Sequence, residues 1–500
     1  MSISFARRDV LKLELNPIVV NALMTAFPRY TSEKANAKIG KYVKTLERMM
    51  RRAKLQKPTK QSKKTKTYTL EARVLWDKTG QLGSEKIRIH QWLNENKLPL
   101  VLNTKPNFKP TKELAVFKTT KFLTIKNESL LDLLRSMTAQ ARTHFLDNPS
   151  QDDIDEINDY LSDFRALSPN EQSEKYELAE IDIASVKNYL RKLADGQFFI
   201  DYSKQESDAD IAEYILRIAQ LNNGLLPQLK DKSDFGRNYY KNISVQNVSK
   251  RVREAFLGNS WEYDCKSCSA SWKMAFAWEQ FRSKKHQKVQ FQDSFSALTL
   301  YLEHKREFFD EVIDITYQAQ YPYSHDYKTK VIKEAMTAIG FGAKLTLGSW
   351  KSSDGETKSS SLLEIFDGDL SLLGKFVNCT IVREYNDEQA ILNKYIVNKF
   401  ARDASWLAEM EASRIKRKRK PYKQNQKISW LFQHAESIMM NIVRDELQKL
   451  GKTVLANVHD AIVVRQRLTA SELLAIEKIV RTSTNVQYFA LGETPYKKTT

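Results

Sequence analysis

Two aspartates that lie far apart in the sequence each stand at the end of a stretch with the composition of a β-strand. Asp264 lies near the end of the aromatic run 261–265, and a segment of helical composition follows it. Asp460 lies between two β-branched runs in 453–464, which predicts a hairpin with the carboxylate at its turn. A two-metal site for phosphoryl transfer requires such carboxylates on neighbouring strands, because Mg²⁺ prefers rigidly held anionic oxygens. Taken singly, each aspartate is better explained as a buried residue that caps a turn.

A third stretch, 328–344, has the pattern of a helix that ends in Phe-Gly. Lys330 and Lys333 are three positions apart and share a face of this helix, and Phe341 follows about two turns later. A nucleoside triphosphate suits this face, with lysine on the phosphates and the ring near base and sugar. By itself, the stretch is better explained as an ordinary helix with a glycine after its C-terminus.

In this order, the three stretches resemble motifs A, B and C of the family A DNA polymerases and the related single-subunit phage RNA polymerases. The segment 236–256, which includes Gly236-Arg237, Gln246-Asn247 and Arg253, resembles the run that precedes motif A in those enzymes. The segment 429–450 resembles the helix that precedes motif C. The resemblance covers about residues 234–466, somewhat under half of the chain.

The resemblance implies a role for each matching residue. Asp264 and Asp460 would hold two Mg²⁺ ions, for which Mn²⁺ could substitute, and the carbonyl oxygen of Cys265 would be a further ligand. Lys333 would bind the triphosphate and protonate the leaving pyrophosphate, and Lys330 would assist in binding. Phe341 would stack beside the nascent base pair, and Gly342 would let the template approach closely. His459 would contact the primer-terminal phosphate, Arg237 the nucleic-acid backbone and Gln433 the primer–template.

The choice between RNA and DNA as product depends on a few departures from the family pattern. Ser269 stands five positions after Asp264, where family A DNA polymerases carry a glutamate that excludes ribonucleotides. A serine leaves room for a 2′-hydroxyl, which favours ribonucleotides. Against this, Phe341 replaces a tyrosine that helps the RNA polymerases select ribose. In addition, Thr329 stands where the family usually carries a triphosphate-binding arginine.

The hypothesis is therefore a DNA-templated nucleotidyltransferase that makes RNA, as transcript or primer, from nucleoside triphosphates. One alternative is a family A-like DNA polymerase without proofreading, because no exonuclease-type carboxylate set stands out in 1–230. A second alternative is a non-catalytic nucleic-acid-binding replication protein. The expected partners are a DNA template, the nascent RNA or DNA strand and accessory replication or transcription proteins. The compact sequence suggests a phage or plasmid origin.

The composition limits the class of protein. The chain carries 80 Lys+Arg against 61 Asp+Glu, a formal charge of +19, which favours a polyanionic partner such as nucleic acid. A hydrophobic fraction of 41% excludes wholesale disorder. The three cysteines exclude a disulfide scaffold and fit a reducing cytoplasm. Cys265-x-x-Cys268 lacks the second pair that a zinc site needs. No signal sequence and no apolar run of roughly 18 residues is present, so we expect a cytoplasmic protein without a membrane partner.

The expected fold is α+β, a right-hand polymerase with palm, fingers and thumb. Its expected parts are a basic N-terminal accessory domain (1–150), a helical thumb-like region (151–233), the first part of the palm (234–300), the fingers (301–427) and the second part of the palm (428–500).

Several local features complete the prediction. The basic runs 51–66 and 414–423 are expected to contact phosphates, although a solvated linker explains the first run equally well. The acidic stretch that begins at Gln151 predicts an amphipathic helix with a solvated face rather than a metal site. Other expectations are helices through 184–229, a loop over 348–361 and strands within 68–76 and 117–125.

Overall fold

A computed structural model gives the architecture of the protein, which is α+β and mostly helical, with small sheets. No helix of the described part is long and apolar enough to cross a bilayer. The structure describes residues 2–6, 12–15, 17–55, 67–71, 79, 81–83, 86–95, 123–126, 129–198, 202–232, 238–241, 243–283, 290–318, 323–348, 350–351, 357–358, 360–416, 421–458 and 460–499.

The chain divides into two compact units. The first comprises Met1–Lys230, Tyr240–Gly258 and Lys497–Thr500. The second comprises Asp231–Tyr239 and Asn259–Tyr496. The expected accessory domain and most of the thumb-like region thus fall in the first unit, and nearly all of the expected palm and fingers fall in the second.

The first unit is built from helices and short antiparallel strands. Strand β1 pairs with β3, β2 with β6, β4 with β5, and β7, β8 and β9 form a three-stranded sheet in that order. The strands are β1 (Ser2–Ala6), β2 (Lys12–Leu15), β3 (Thr67–Glu71), β4 (Gln81–Leu82), β5 (Ile87–Arg88), β6 (Leu123–Lys126), β7 (Tyr176–Glu180), β8 (Leu225–Lys232) and β9 (Asn238–Lys241). The helices are α1 (Pro17–Ala26), α2 (Ser32–Leu55), α3 (Ile89–Glu95), α4 (Leu130–Ser136), α5 (Ala139–Asp147), α6 (Gln151–Arg165), α7 (Pro169–Lys175), α8 (Ile183–Ala194), α9 (Tyr202–Leu221) and α10 (Lys250–Leu257).

Ion pairs join the basic face of α2 to carboxylates on α6 and α9. Arg51 lies 3.0 Å from Glu213 and 3.4 Å from Glu156, and Arg52 lies 3.1 Å from Asp159. The acidic helix was correctly expected, but its face is paired with arginines rather than merely solvated. Arg51 and Arg52 of the basic run lie on α2, where their guanidinium groups meet carboxylates, and their expected phosphate contacts stay a prediction. The rest of that run after Leu55, 56–66, lies outside the described residues.

The second unit contains one larger sheet surrounded by helices. Its strands are β10 (Ser260–Cys265), β11 (Trp350–Lys351), β12 (Thr357–Lys358), β13 (Val454–Val458), β14 (Ala461–Val464) and β15 (Leu491–Tyr496). Its helices are α11 (Cys268–Ser283), α12 (Phe291–Ser294), α13 (Ser296–Glu303), α14 (Lys305–Tyr317), α15 (His325–Gly340), α16 (Ser361–Ile365), α17 (Leu370–Asn378), α18 (Thr380–Phe400), α19 (Ala404–Lys416), α20 (Gln424–Lys449) and α21 (Ala470–Thr484).

The sheet of the second unit is antiparallel, with strand order β13-β14-β10-β15. Strand β10 therefore lies inside the sheet, between β14 of the β13–β14 hairpin and β15. Buried apolar side chains of the sheet join those of the helices in one core, which includes Tyr263, Ile462, Met336 and Phe432. Removing this apolar area from water holds the hairpin against β10.

The predictions that concern the three key stretches are confirmed at the level of secondary structure. Strand β10 leads into α11, the hairpin β13–β14 has Asp460 at its turn, and α15 ends at Gly340. The helix expected before the hairpin is α20.

Two expectations elsewhere are corrected. The segment 348–361, expected as a loop, contains the short antiparallel pair β11–β12. The helical region 184–229 ends in strand β8, which follows the turn at Gly224. Of the strands expected within 68–76 and 117–125, the described parts belong to β3 and β6, and 72–76 and 117–122 lie outside the described residues.

Candidate functional site

Asp264 and Asp460 come together at one end of the β10–β14 pairing. Asp264 is the next-to-last residue of β10 and lies opposite Ala461, the first residue of β14. Asp460 precedes Ala461 directly, and its backbone oxygen accepts a hydrogen bond from the Cys265 amide at 3.4 Å. The structure therefore places Asp264 near the end of β10 and Asp460 in the turn that leads into the adjacent strand β14, as the hairpin pattern predicts.

The two carboxylates influence each other electrostatically. Burial raises the pKa of the Asp264 carboxyl above its ordinary value, and the negative charges of Asp460 and Glu262 raise it further. The positive charge of Lys333 opposes this increase. A carboxylate destabilised in this way gains from any cation that binds beside it, because the cation offsets the repulsion.

Gly492 makes room for the Asp264 side chain on the opposite edge of β10. The two residues are partners in the β10–β15 register, and a Cβ built on Gly492 would clash with Asp264 Oδ1. Any side chain larger than that of glycine at position 492 would therefore displace the Asp264 carboxylate. Sequence analysis did not single out Gly492, because nothing in the local pattern of 491–496 indicates the distant partner.

Lysines lie near Asp264. Lys305, the first residue of α14, donates a hydrogen bond from Nζ to Ser267 Oγ at 2.7 Å. Burial lowers the pKa of Lys305, the charges of Lys333 and Lys266 lower it further, and Asp264 raises it. Lys305 and Lys333 are therefore close to each other and to Asp264. Sequence analysis identified Lys333 but missed Lys305, for which the only local signal is its position in the cationic run 304–306.

The other lysines of the predicted phosphate-binding face differ in their surroundings. Lys330 and Lys333 are both exposed on α15. Lys328, by contrast, lies over the ring of Tyr317 with Nζ 5.5 Å from the ring centroid. Thr329, at the position of the family arginine, has a buried hydroxyl without a hydrogen-bond partner in the described part of the chain. Lys330 is therefore better placed than Lys328 to supply a second charge.

The Phe341-Gly342 corner follows the end of α15. Gly342 has a φ of +86°, a conformation that side chains rarely adopt, so a glycine belongs there. The half-buried ring of Phe341 packs against Phe432 of α20, with centroids 5.6 Å apart. Gln433, next to Phe432, is partly exposed and donates to Ser429 Oγ at 3.1 Å.

A buried lysine lies directly beneath this corner. Lys273 of α11 is 0% exposed, and its Nζ donates to the backbone oxygen of Gly340 and, at 2.8 Å, to Gln389 Oε1. The same Nζ lies 5.6 Å from the centroid of the Phe341 ring. Burial lowers the pKa of Lys273 to about 7. Sequence analysis predicted a helix here and did not identify this group.

The remaining predicted residues differ in burial, and two of them lie outside the described part of the chain. Ser269 lies partly exposed in the first turn of α11, five residues after Asp264. Cys265 and Cys268 are buried free thiols. Burial raises the pKa of the Cys265 thiol, and a hydrogen bond with Cys268 raises it further. Arg237 and His459 lie outside the described residues.

The donor set suits a hard cation that retains water or substrate ligands. Among the described residues, no group of three or more His, Cys, Asp or Glu side chains is arranged to hold a metal ion. Asp264 and Asp460 nevertheless bring two carboxylates together. Mg²⁺ commonly binds through one or two carboxylates and completes its coordination with water and phosphate oxygens. The residues present therefore fit Mg²⁺ with a phosphate substrate, and they do not form an all-protein metal cage.

Comparisons with known proteins do not identify a family. Neither the scan against protein-family models nor the search of curated proteins gives a match to this sequence.

Proposed function

We propose that this protein is a template-directed nucleotidyltransferase that joins nucleoside triphosphates on a DNA template. The observation that carries the proposal is the β10–β14 register, which sets Asp264 beside Asp460. Lys333 and Lys305 supply positive charge at the same place. Adjacent carboxylates for divalent ions, next to lysines for phosphates, suit phosphoryl transfer.

Each residue has a defined task in this proposal. Asp264 and Asp460 hold Mg²⁺, which would activate the primer 3′-hydroxyl and neutralise the triphosphate. Lys333 binds the triphosphate and donates a proton to the departing pyrophosphate. Lys305 holds the Ser267 side chain and adds a second positive charge beside Asp264. The Phe341-Gly342 corner offers a ring for stacking and a position without a side chain for close approach of the template.

RNA is the proposed product. Ser269 is partly exposed in the first turn of α11 and is too short to exclude a 2′-hydroxyl. The competing candidate is a DNA polymerase of the same kind, which is favoured by the absence of a tyrosine hydroxyl at Phe341. The positive charge of the chain, +19, suits either nucleic acid as partner.

A primer-extension assay tests the activity and the product together. Ribonucleotides and deoxyribonucleotides are offered separately on primed single-stranded DNA, with Mg²⁺ and in a parallel series with Mn²⁺. Extension with ribonucleotides supports the proposal. Extension with deoxyribonucleotides alone would show a DNA polymerase, and absence of extension with either set contradicts the nucleotidyltransferase.

Two variants test the assignment of the site. Asp264→Asn and Asp460→Asn should each abolish synthesis while DNA binding persists, because each removes one charge from the pair that holds the cation. Asp445→Asn is the matched control, since Asp445 is an exposed carboxylate on α20. Synthesis that survives either substitution at the pair contradicts the metal assignment.

A further inference from the structure

A cavity of about 370 Å³ lies beside the N-terminal half of α15, in the second unit. Its volume is in the range of small-ligand sites. It forms where the end of α14, the start of α15 and the turn between α16 and α17 meet. We call it the tyrosine cavity, and the lining residues that matter are Tyr317, Tyr323, Tyr327, Phe366, Asp367 and Asp369.

The tyrosine rings present aromatic surface to the cavity. Tyr323 and Tyr327 have ring centroids 4.8 Å apart, and the Tyr317 ring meets that of Tyr323 at 6.0 Å. Tyr323 is 44% exposed and Tyr327 is 37% exposed, although both are large hydrophobic side chains. The Tyr317 ring already accepts one cation, because Lys328 Nζ lies 5.5 Å from its centroid.

Two carboxylates give the tyrosine cavity a negative potential. Asp367 Oδ2 accepts a hydrogen bond from the Tyr327 hydroxyl at 3.0 Å, and Asp369 Oδ1 accepts from two backbone amides at the start of α17. Among the described residues, no hydrogen bond reaches the second oxygen of either carboxylate. The hydrogen bond to Asp367 raises the pKa of the Tyr327 hydroxyl, as expected beside negative charge.

The charged residues that line the tyrosine cavity are both acidic, Asp367 and Asp369, in a chain whose formal charge is +19. Helix α14 adds four acidic residues against two basic ones, whereas α15 brings Lys328 to the Tyr317 ring. Two carboxylates at the cavity repel phosphate groups, so a nucleotide is a poor occupant. A planar cation is a good one, because a guanidinium group stacks on tyrosine rings and forms paired hydrogen bonds with carboxylates.

We propose that the tyrosine cavity binds an arginine side chain from a basic segment of a partner protein. The guanidinium stacks on the outer face of the exposed Tyr323–Tyr327 pair and donates to Asp367 and Asp369. This site is separate from the residues assigned to nucleotidyl transfer, and its existence does not depend on that activity.

Fluorescence anisotropy with a labelled Gly-Arg-Gly-Arg-Gly amide peptide and the intact protein tests the proposal. The matched probe replaces both arginines by citrulline, which keeps the shape and loses the charge. The arginine peptide should bind at least about tenfold more tightly than the citrulline peptide, because a charge-assisted pair is lost. Equal binding of the two peptides, or no binding of the arginine peptide, overturns the proposal.

Variants locate the binding. Asp367→Asn and Tyr323→Ala should each weaken binding of the arginine peptide about tenfold. Asp387→Asn is the control, because it removes the same charge from an exposed position of α18 that does not line the cavity. Equal binding by Asp367→Asn and wild type contradicts the site. If a variant fails to fold by circular dichroism, the comparison of the two peptides on the wild type still decides.

A nucleotide arm addresses the competing occupant. Guanosine monophosphate is titrated against wild type and Tyr323→Ala. Binding that requires Tyr323, combined with no binding of the arginine peptide, would make the cavity a base-stacking site and overturn the proposal.

Discussion

The carboxylate of Asp264 lies against the Cα of Gly492, so that a methyl group on Gly492 would overlap Asp264 Oδ1. The contact joins two strands of one sheet that are paired in register. A substitution on the edge strand β15 therefore acts directly on the side chain that we assign to metal binding.

Gly492→Ala should abolish most of the synthesis and lower the free energy of unfolding by about 1–3 kcal/mol, because the new Cβ overpacks the sheet. Primer extension and urea denaturation measure the two effects. Gly374→Ala is the control: the nearest atom to its added Cβ would be 3.9 Å away, and alanine is the better helix former in α17. If Gly492→Ala leaves synthesis unchanged, the position of the Asp264 carboxylate is not critical.

Lys305→Met should raise the KM for nucleoside triphosphate about tenfold, because one positive charge near the phosphates is lost. Arg306→Met serves as the neighbouring control, since the Arg306 side chain is 94% exposed and pairs only with Asp310 in the described part of the chain. Lys305→Arg should restore part of the lost affinity. A fall in kcat without a change in KM would instead indicate that Lys305 only supports the 265–268 turn through Ser267.

The buried Lys273 should make the stability of the protein depend on pH. Its pKa is lowered to about 7 from 10.5, so the unfolded chain holds more protons than the folded protein between these values. The free energy of unfolding contributed by this group therefore rises with pH across that window, by at most about 1.4 kcal/mol per pH unit.

Urea denaturation at pH 7, 8 and 9 measures this slope. The unfolding free energy of the wild type should rise relative to that of Lys273→Met as the pH rises. Lys394→Met, at an exposed position of α18, should follow the wild type at each pH. A difference between wild type and Lys273→Met that stays constant from pH 7 to 9 would show that Lys273 remains charged through this range.

Arg51→Ala should destabilise the first unit by about 2 kcal/mol, because the Glu213 side chain it meets is 1% exposed and loses one of its two arginine partners. Thermal or urea unfolding measures the change. Lys44→Ala removes an ion pair between side chains that are 63% and 72% exposed, and should cost less than about 0.5 kcal/mol. Equal effects of the two substitutions would mean that the buried position of Glu213 does not strengthen its ion pair with Arg51.

The parts of the site that sequence analysis predicted are those with a strong local pattern. The β-branched runs around Asp460 and the aromatic run before Asp264 each determine a strand, and the order of the stretches suggested their pairing. The helix that carries Lys333 follows from its apolar periodicity, and Gly342 marks its end through the positive φ that glycine tolerates.

The parts that it missed depend on contacts between distant segments. Lys305, Gly492 and Lys273 are ordinary residues in their own neighbourhoods, and only tertiary packing brings them to Asp264 or Phe341. The same holds for Arg51 and Arg52. Their positive charge suggested a phosphate contact, and the folded chain pairs them with acids on helices 105 to 162 residues away.

The central position of β10 also has a kinetic consequence. Its two neighbours, β14 and β15, are supplied by chain that lies about two hundred residues downstream, so the sheet can close only after a very long loop has been ordered. The surrounding helices, which need only local contacts, form earlier. Folding intermediates of this protein should therefore be rich in helix while Asp264 and Asp460 are still apart. The proposed metal-binding pair should form only in the last and slowest phase of folding.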